Sequence, residues 1–161
     1  MGEVIKVGIA AYAVCSAPDS VTTIGLGSCV GVVLYDEQNK IAGLVHIMLP
    51  DSTRIRENSN EAKFADTGVK ALANAMLKKG AVARNIKAKI AGGAKMFEFS
   101  RNNSSISIGE QNIQAVRDAL KSMRIPLLAE DVGLDYGRTI YFDTNDWKMK
   151  VKSAGREDKV L

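Results

Sequence analysis

A chain of 161 residues with 46% apolar and 25% charged side chains is long enough for one well-packed core, and it lacks the low hydrophobicity of a disordered protein. The net charge of +4 is mild, with lysines and arginines interleaved among acids instead of gathered into a patch, which argues against nucleic acid as a partner. No run approaches the roughly 18 apolar residues of a bilayer span, and the first residues lack a signal peptide's charged head and apolar stretch, so the chain reads as a cytoplasmic protein without membrane insertion, one domain over 1–161.

Between residues 4 and 26 the apolar positions fall in short runs rich in Val, Ile and Ala, broken at Ala17-Pro18-Asp19-Ser20 by turn chemistry; this predicts two strands. A third over 29–35 and a fourth over 41–49 are joined by Asp36-Glu37-Gln38-Asn39-Lys40, a polar link of hairpin length, and together they read as a β-meander. Residues 51–60 carry Arg54, Arg56, Glu57 and Asn58 without apolar periodicity, a loop placed to wall a site beside the fourth strand. A helix follows over 61–79, with Ala65, Val69, Leu72, Ala73, Met76 and Leu77 on one stripe and Gly80 placed to end it. A strand over 85–91 runs into Gly92-Gly93-Ala94, where the glycine pair reads as a tight turn, and 95–107 reads as mostly loop. The second helix spans 109–124, with Ile113, Val116, Leu120 and Met123 on one face and Pro126 just beyond its end. Three short strands are predicted over 126–131, 139–143 and 147–151, and the polar last ten residues read as frayed. Strands, then helices, then strands again define an α+β fold with two main helices laid against largely antiparallel β-sheet.

The chemistry concentrates where one of the two cysteines follows the turn Gly25-Leu26-Gly27-Ser28 and the only histidine occupies the next apolar run. Hairpin arithmetic centred on Gln38-Asn39 sets Gly31 opposite His46 and Cys29 opposite Met48, so Cys29 and His46 point to the same face. They are diagonal neighbours, about 7 to 8 Å apart between Cα atoms. A cysteine reacts through its thiolate, and a nearby imidazole serves as its base and later protonates a leaving amine. The ring needs a third group to hold its tautomer; Thr23 in the preceding strand is the candidate and Thr22 the fallback. Backbone N–H groups around Gly27, Ser28 and Cys29 are the expected donors to an oxyanion. Plainer readings stand beside this one: a strand cysteine as a small hydrophobe, a histidine satisfied in the core, or a Cys15–Cys29 bridge. Three thiol or imidazole groups without paired spacing fall short of a zinc site, and Gly25, Gly27 and Gly31 lack the helix and lysine of a nucleotide loop, so neither metal nor cofactor is expected.

The stretch Thr22-Thr23-Ile24-Gly25-Leu26-Gly27-Ser28-Cys29-Val30-Gly31, then Val45-His46-Ile47-Met48-Leu49-Pro50-Asp51-Ser52, resembles the CheD family of chemoreceptor glutamine deamidases. The likeness continues through Ala91-Gly92-Gly93-Ala94-Lys95-Met96-Phe97, Ile108-Gly109-Glu110-Gln111-Asn112 and Asp131-Val132-Gly133 with Tyr136-Gly137-Arg138; it departs at Leu134-Asp135, where the resemblance leads one to expect a second glycine after Gly133. The resemblance implies a layered α/β sandwich similar to toxin-type protein deamidases and a Cys-His-Thr constellation on Cys29, His46 and Thr23. It also implies methyl-accepting chemotaxis receptors as substrate, possession of a thioester route open to glutamyl methyl esters, and the CheC phosphatase as a competing regulator.

Overall fold

The structure, a computed structural model, describes residues 2–96 and 106–161; most of the loop expected over 95–107, and Phe97 of the resemblance, lie outside the described residues. The described elements are β1 (Val4–Lys6), β2 (Tyr12–Ser16), β3 (Ser20–Leu26), β4 (Val30–Asp36), β5 (Ile41–Ile47), α1 (Ala65–Lys78), β6 (Lys87–Gly92), α2 (Ile108–Ser122), β7 (Leu127–Val132), β8 (Arg138–Asp143), β9 (Lys148–Lys152) and β10 (Lys159–Val160). They form two five-stranded sheets, an outer one ordered β1-β3-β8-β9-β10 and a central one ordered β2-β5-β4-β6-β7. All pairings are antiparallel except β1 with β3 and β6 with β7, so the fold is α+β with mixed, mostly antiparallel sheets.

The helices cover one face of the central sheet and the outer sheet covers the other, which explains why β4 (VGVVLYD) and β5 (IAGLVHI) are buried at every position. The alternation of side chains sorts them into two cores. Val30, Val32, Leu34, Val45 and Ile47 pack with Val69, Leu72 and Met76 of α1 and with Val116 and Leu120 of α2. Val33, Tyr35, Ala42 and Leu44 point the other way, onto Val21, Leu26, Ile140 and Phe142 of the outer sheet. In β8 only every second residue is buried, as suits a strand with one covered face.

Several expectations need correction. Residues 4–26 hold three strands, and β3 pairs with β1 and β8 in the outer sheet, not with β4, so the meander reduces to the β4–β5 hairpin. Periodicity reports that one face of β3 is buried but not which sheet it joins. The hairpin register itself is as the arithmetic requires, with Gly31 opposite His46 and Val30 opposite Ile47. The first helix begins later than its stripe implies: Glu61–Lys63 is a single 3-10 turn, and Leu77 is exposed. The segment 51–60 is a loop with one further 3-10 turn, Ser52–Arg54. Nor is the tail frayed: β10 pairs with β9, Leu161 exchanges two backbone bonds with Met149, and the Lys89 ammonium donates to Leu161 O (2.9 Å) and Trp147 O (3.0 Å). The polar composition hid that burying Lys89 requires acceptors, which the tail and the Trp147 turn supply.

Candidate active site

The segment Gly27-Ser28-Cys29 carries the chain from β3 in the outer sheet to β4 in the central one. Its three carbonyls are all engaged: Gly27 O accepts from Ala94 N (2.8 Å), Ser28 O from Asn112 Nδ2 (2.9 Å) and Cys29 O from Gly93 N (2.8 Å). The Gly27 N–H donates to Gly25 O (3.1 Å), whereas the N–H groups of Ser28 and Cys29 have no hydrogen bond among the described residues. Of the three backbone donors expected from the sequence, Ser28 and Cys29 are therefore the available pair, and Gly27 contributes through its carbonyl. The glycines beneath are required by contact: a Cβ on Gly92, which sits at φ +113°, would lie 2.2 Å from Cys29 O.

His46 is fully buried on the face of β5 that looks at the outer sheet. Its ladder partner Gly31 lies close under the outer sheet: a Cβ there would stand 2.7 Å from Ile140 Cδ1 and 3.1 Å from Leu26 Cδ1, so those methyl groups would have to shift. Those two outer-sheet side chains fill the space that the sequence reading left for the imidazole to lean into. Cys29, two residues before Gly31, is half-buried and packs against the same inter-sheet core. Both cysteines are free, so the Cys15–Cys29 bridge is absent; Cys15 is buried against Ala42, and desolvation, with Asp19 adding to it, pushes its thiol up to about 11.

Thr23 lies 2% exposed in β3, pointing from the outer sheet toward His46. Its Oγ1 donates to Val7 O (2.7 Å), an atom that can only accept. The single hydroxyl hydrogen is thus committed, and the 2.8 Å contact between Oγ1 and His46 Nδ1 must run the other way, from Nδ1–H to Oγ1. The ring proton therefore sits on Nδ1, and the lone pair is on Nε2, a buried atom with no hydrogen-bond partner among the described residues. Thr22, the fallback, is committed elsewhere, donating to Ile140 O (2.6 Å). Backbone bonds hold the histidine from its other side: Ala10 N donates to His46 O (3.2 Å) and His46 N to Ala11 O (3.0 Å). The loop 51–60 reaches this segment through Asn60 Nδ2 on Ala10 O (3.1 Å); its other bonds among the described residues run to Ala62, Lys63 and Asp66 and within itself, not to Cys29, His46 or Thr23.

Burial pushes the Cys29 thiol up and the His46 imidazole down. At neutral pH the resting pair is consequently thiol and neutral imidazole, in place of the thiolate that the sequence reading expects from a neighbouring ring. Among the described residues no three His, Cys, Asp or Glu side chains cluster as metal ligands, and no helix is long and apolar enough to cross a membrane.

Sequence reasoning missed Val7, which acts through its carbonyl, and Asn112, whose side chain holds both Ser28 O and Met48 O. A signal for Asn112 existed: it occupies a buried position of the α2 stripe, between Gly109 and Val116, where an apolar residue is the norm.

Two packed sheets with helices over one face define the class, an α+β sandwich; between the sheets Thr23 is bonded to His46, and Cys29 packs against the same core without a hydrogen bond to the imidazole among the described residues. The family model described as CheD chemotactic sensory transduction matches residues 48–153, and the chain belongs to that family. It is 55% identical over 161 residues, all of both chains, to a protein of Lachnoclostridium phytofermentans named probable chemoreceptor glutamine deamidase CheD. A protein of the same name from Caldanaerobacter subterraneus subsp. tengcongensis is 49% identical over 159 residues, covering 99% of this chain and 98% of that one. Among solved structures, Neisseria meningitidis protein NMB0706, described under DUF152, matches with a TM-score of 0.56 at 10% identity, covering 83% of this chain and 64% of that one; it shares the fold.

Proposed function

We propose that this protein deamidates glutamine side chains of chemotaxis receptors in the cytoplasm, with Cys29 as nucleophile, His46 as general base and acid, and Thr23 as the group that orients the ring. The observation that carries the reading is the relay Val7 C=O, Thr23 O–H, His46 Nδ1–H, because it leaves an unpartnered Nε2 lone pair in the layer that also holds Cys29.

In the reaction, Nε2 takes the Cys29 proton as Sγ bonds to the carboxamide carbon. The Ser28 and Cys29 N–H groups donate to the resulting oxyanion, a stabilisation of about 3 to 4 kcal/mol per donor. As the C–N bond breaks, the imidazolium returns its proton to the departing ammonia, leaving a thioester. Water attacks the thioester carbon, gives a proton to Nε2, and releases glutamate and the thiol. A glutamyl methyl ester enters the same cycle with methanol as leaving group, so methylesterase activity accompanies the deamidase. The names carried by the relatives support receptors as substrate; the CheC phosphatase is proposed as the partner that competes for the protein.

Purified receptor cytoplasmic fragments, incubated with the protein with and without the phosphatase and mapped by mass spectrometry, test this. Wild type converts discrete glutamines to glutamate, and Cys29→Ala converts none; conversion undiminished in Cys29→Ala rules the mechanism out. One observation favours a rival reading, a docking module without turnover: burial raises the Cys29 thiol, opposite to the shift of a pre-activated cysteine. Alkylation separates the two, since a working Nε2 base makes the iodoacetamide rate depend on His46, and a merely packed thiol is indifferent to His46→Ala.

A further inference from the structure

Asn112 is fully buried and is the polar member of the covered stripe of α2. Its Nδ2 donates to Ser28 O and to Met48 O, both at 2.9 Å. Both acceptors are carbonyls, so the side-chain amide has only one workable orientation. Continuing the β4–β5 register past Val30 and Ile47 sets Cys29 opposite Met48, and Asn112 therefore ties the two strands together where their own ladder ends.

The consequence for the site follows from peptide geometry. In a trans peptide the C=O and the following N–H point in opposite directions. Drawing Ser28 O toward α2 therefore turns the Cys29 N–H away from the helix, and drawing Gly27 O toward Ala94 N turns the Ser28 N–H away from Ala94. Within Gly27-Ser28-Cys29 these are the two N–H groups without a hydrogen bond among the described residues. Asn112 Oδ1, buried and without a hydrogen bond among the described residues, takes no part; the side chain serves as a donor alone.

We propose that Asn112 is a positioning residue for the oxyanion donors: it anchors the Ser28 carbonyl so that the Cys29 N–H faces the reacting oxygen. The inference rests on Cys29 being the nucleophile but not on the identity of the substrate. It separates two reactions of the same sulfur. Acetylation by p-nitrophenyl acetate joins Sγ to the acetyl carbon through a tetrahedral oxyanion, passes the Sγ proton to His46 Nε2 and from there to solvent, and breaks the ester C–O bond to expel p-nitrophenolate. Alkylation by iodoacetamide displaces iodide at a saturated carbon and forms no oxyanion.

Asn112→Ala in the full chain is expected to slow Cys29 acetylation about 10- to 100-fold while alkylation stays within about threefold of wild type. Val116→Ala, a truncation on the same covered face of α2, loosens the helix without removing a donor and keeps both rates. Should Asn112→Ala fail to fold, Asn112→Ser retains one shorter donor and is expected to acetylate at an intermediate rate with normal alkylation. The proposal is overturned if acetylation stays within threefold, if both reactions fall together, or if Val116→Ala matches the loss. A wild-type protein that acetylates at Cys29 yet leaves receptor glutamines intact counts against the deamidase reading and leaves the anchor standing; one that does not acetylate there overturns both.

Discussion

Thr23→Val is the most informative single substitution, because it keeps a β-branched side chain of similar shape and removes only the hydroxyl. Two buried groups lose their partner at once: Val7 O, which receives the hydroxyl at 2.7 Å, and His46 Nδ1, which meets it at 2.8 Å. Leaving a buried donor and a buried acceptor unsatisfied costs about 1 to 2 kcal/mol each, so stability should drop by about 2 to 4 kcal/mol. For a chain of this size that lowers Tm by about 4 to 16 °C. The kinetic effect has a separate origin. The Nδ1–H bond, a net contribution of about 1 to 2 kcal/mol, favours the tautomer whose Nε2 can accept a proton; without it kcat should fall about 5- to 30-fold. Thr23→Ser restores the hydroxyl and should recover kcat to within about threefold, although its lost methyl group costs about 1 kcal/mol of stability. Deamidation of receptor fragments, followed at saturating substrate alongside thermal melts, reads both effects. Full kcat in Thr23→Val, or no recovery in Thr23→Ser, would refute the tautomer argument.

Three further outcomes are expected. His46 is held below its ordinary value of 6.5 by burial, so the unfolded chain binds the proton first as pH falls. The stability tied to keeping the ring neutral is fully present above that value and declines as pH drops toward the folded one. Melts taken from about pH 7 to about pH 5 should lose Tm faster in wild type than in His46→Gln, and equal slopes contradict the buried neutral ring. Activity falls in the same direction, since protonated Nε2 cannot act as base. Gly92→Ala drives a Cβ to 2.2 Å from Cys29 O at φ +113°; with strain of about 1 to 3 kcal/mol, it should lower both Tm and Cys29 acetylation, and a silent phenotype argues against the tight approach. Leu134 occupies φ +60° and is 62% exposed, the position where the family resemblance expects a second glycine. Leu134→Gly relieves the left-handed backbone while giving up little burial, and should stabilise by up to about 1 kcal/mol; a lower Tm shows that the leucine makes compensating contacts.

Much of the site was legible in the sequence because it depends on short-range rules. The length of the Asp36-Glu37-Gln38-Asn39-Lys40 link sets the hairpin parity, and that parity decides that Cys29 and His46 share a face. The α2 stripe is equally readable, whereas Gly92-Gly93 is no tight turn: Gly92 ends β6, and Gly93 N continues the bonding along Cys29 O. The tail was misjudged for a converse reason: its residues are polar individually, and only the buried Lys89 and the edge of β9 give them something to bind.

What the chain alone determined, then, is the parity that sets Cys29 and His46, the candidate pair, on one face, since it follows from neighbours within one hairpin. The tertiary structure decided the rest: the sheet that receives β3, the proton on His46 Nδ1 through Val7 and Thr23, the burial that pushes the Cys29 thiol up and the His46 imidazole down, and the hydrogen bond that holds Ser28 to Asn112. Those properties join residues 7, 23 and 46, or 28, 48 and 112, across layers that no local pattern spans. Whether a thiol keeps its proton depends on what lies over it, and packing, not sequence spacing, settles that.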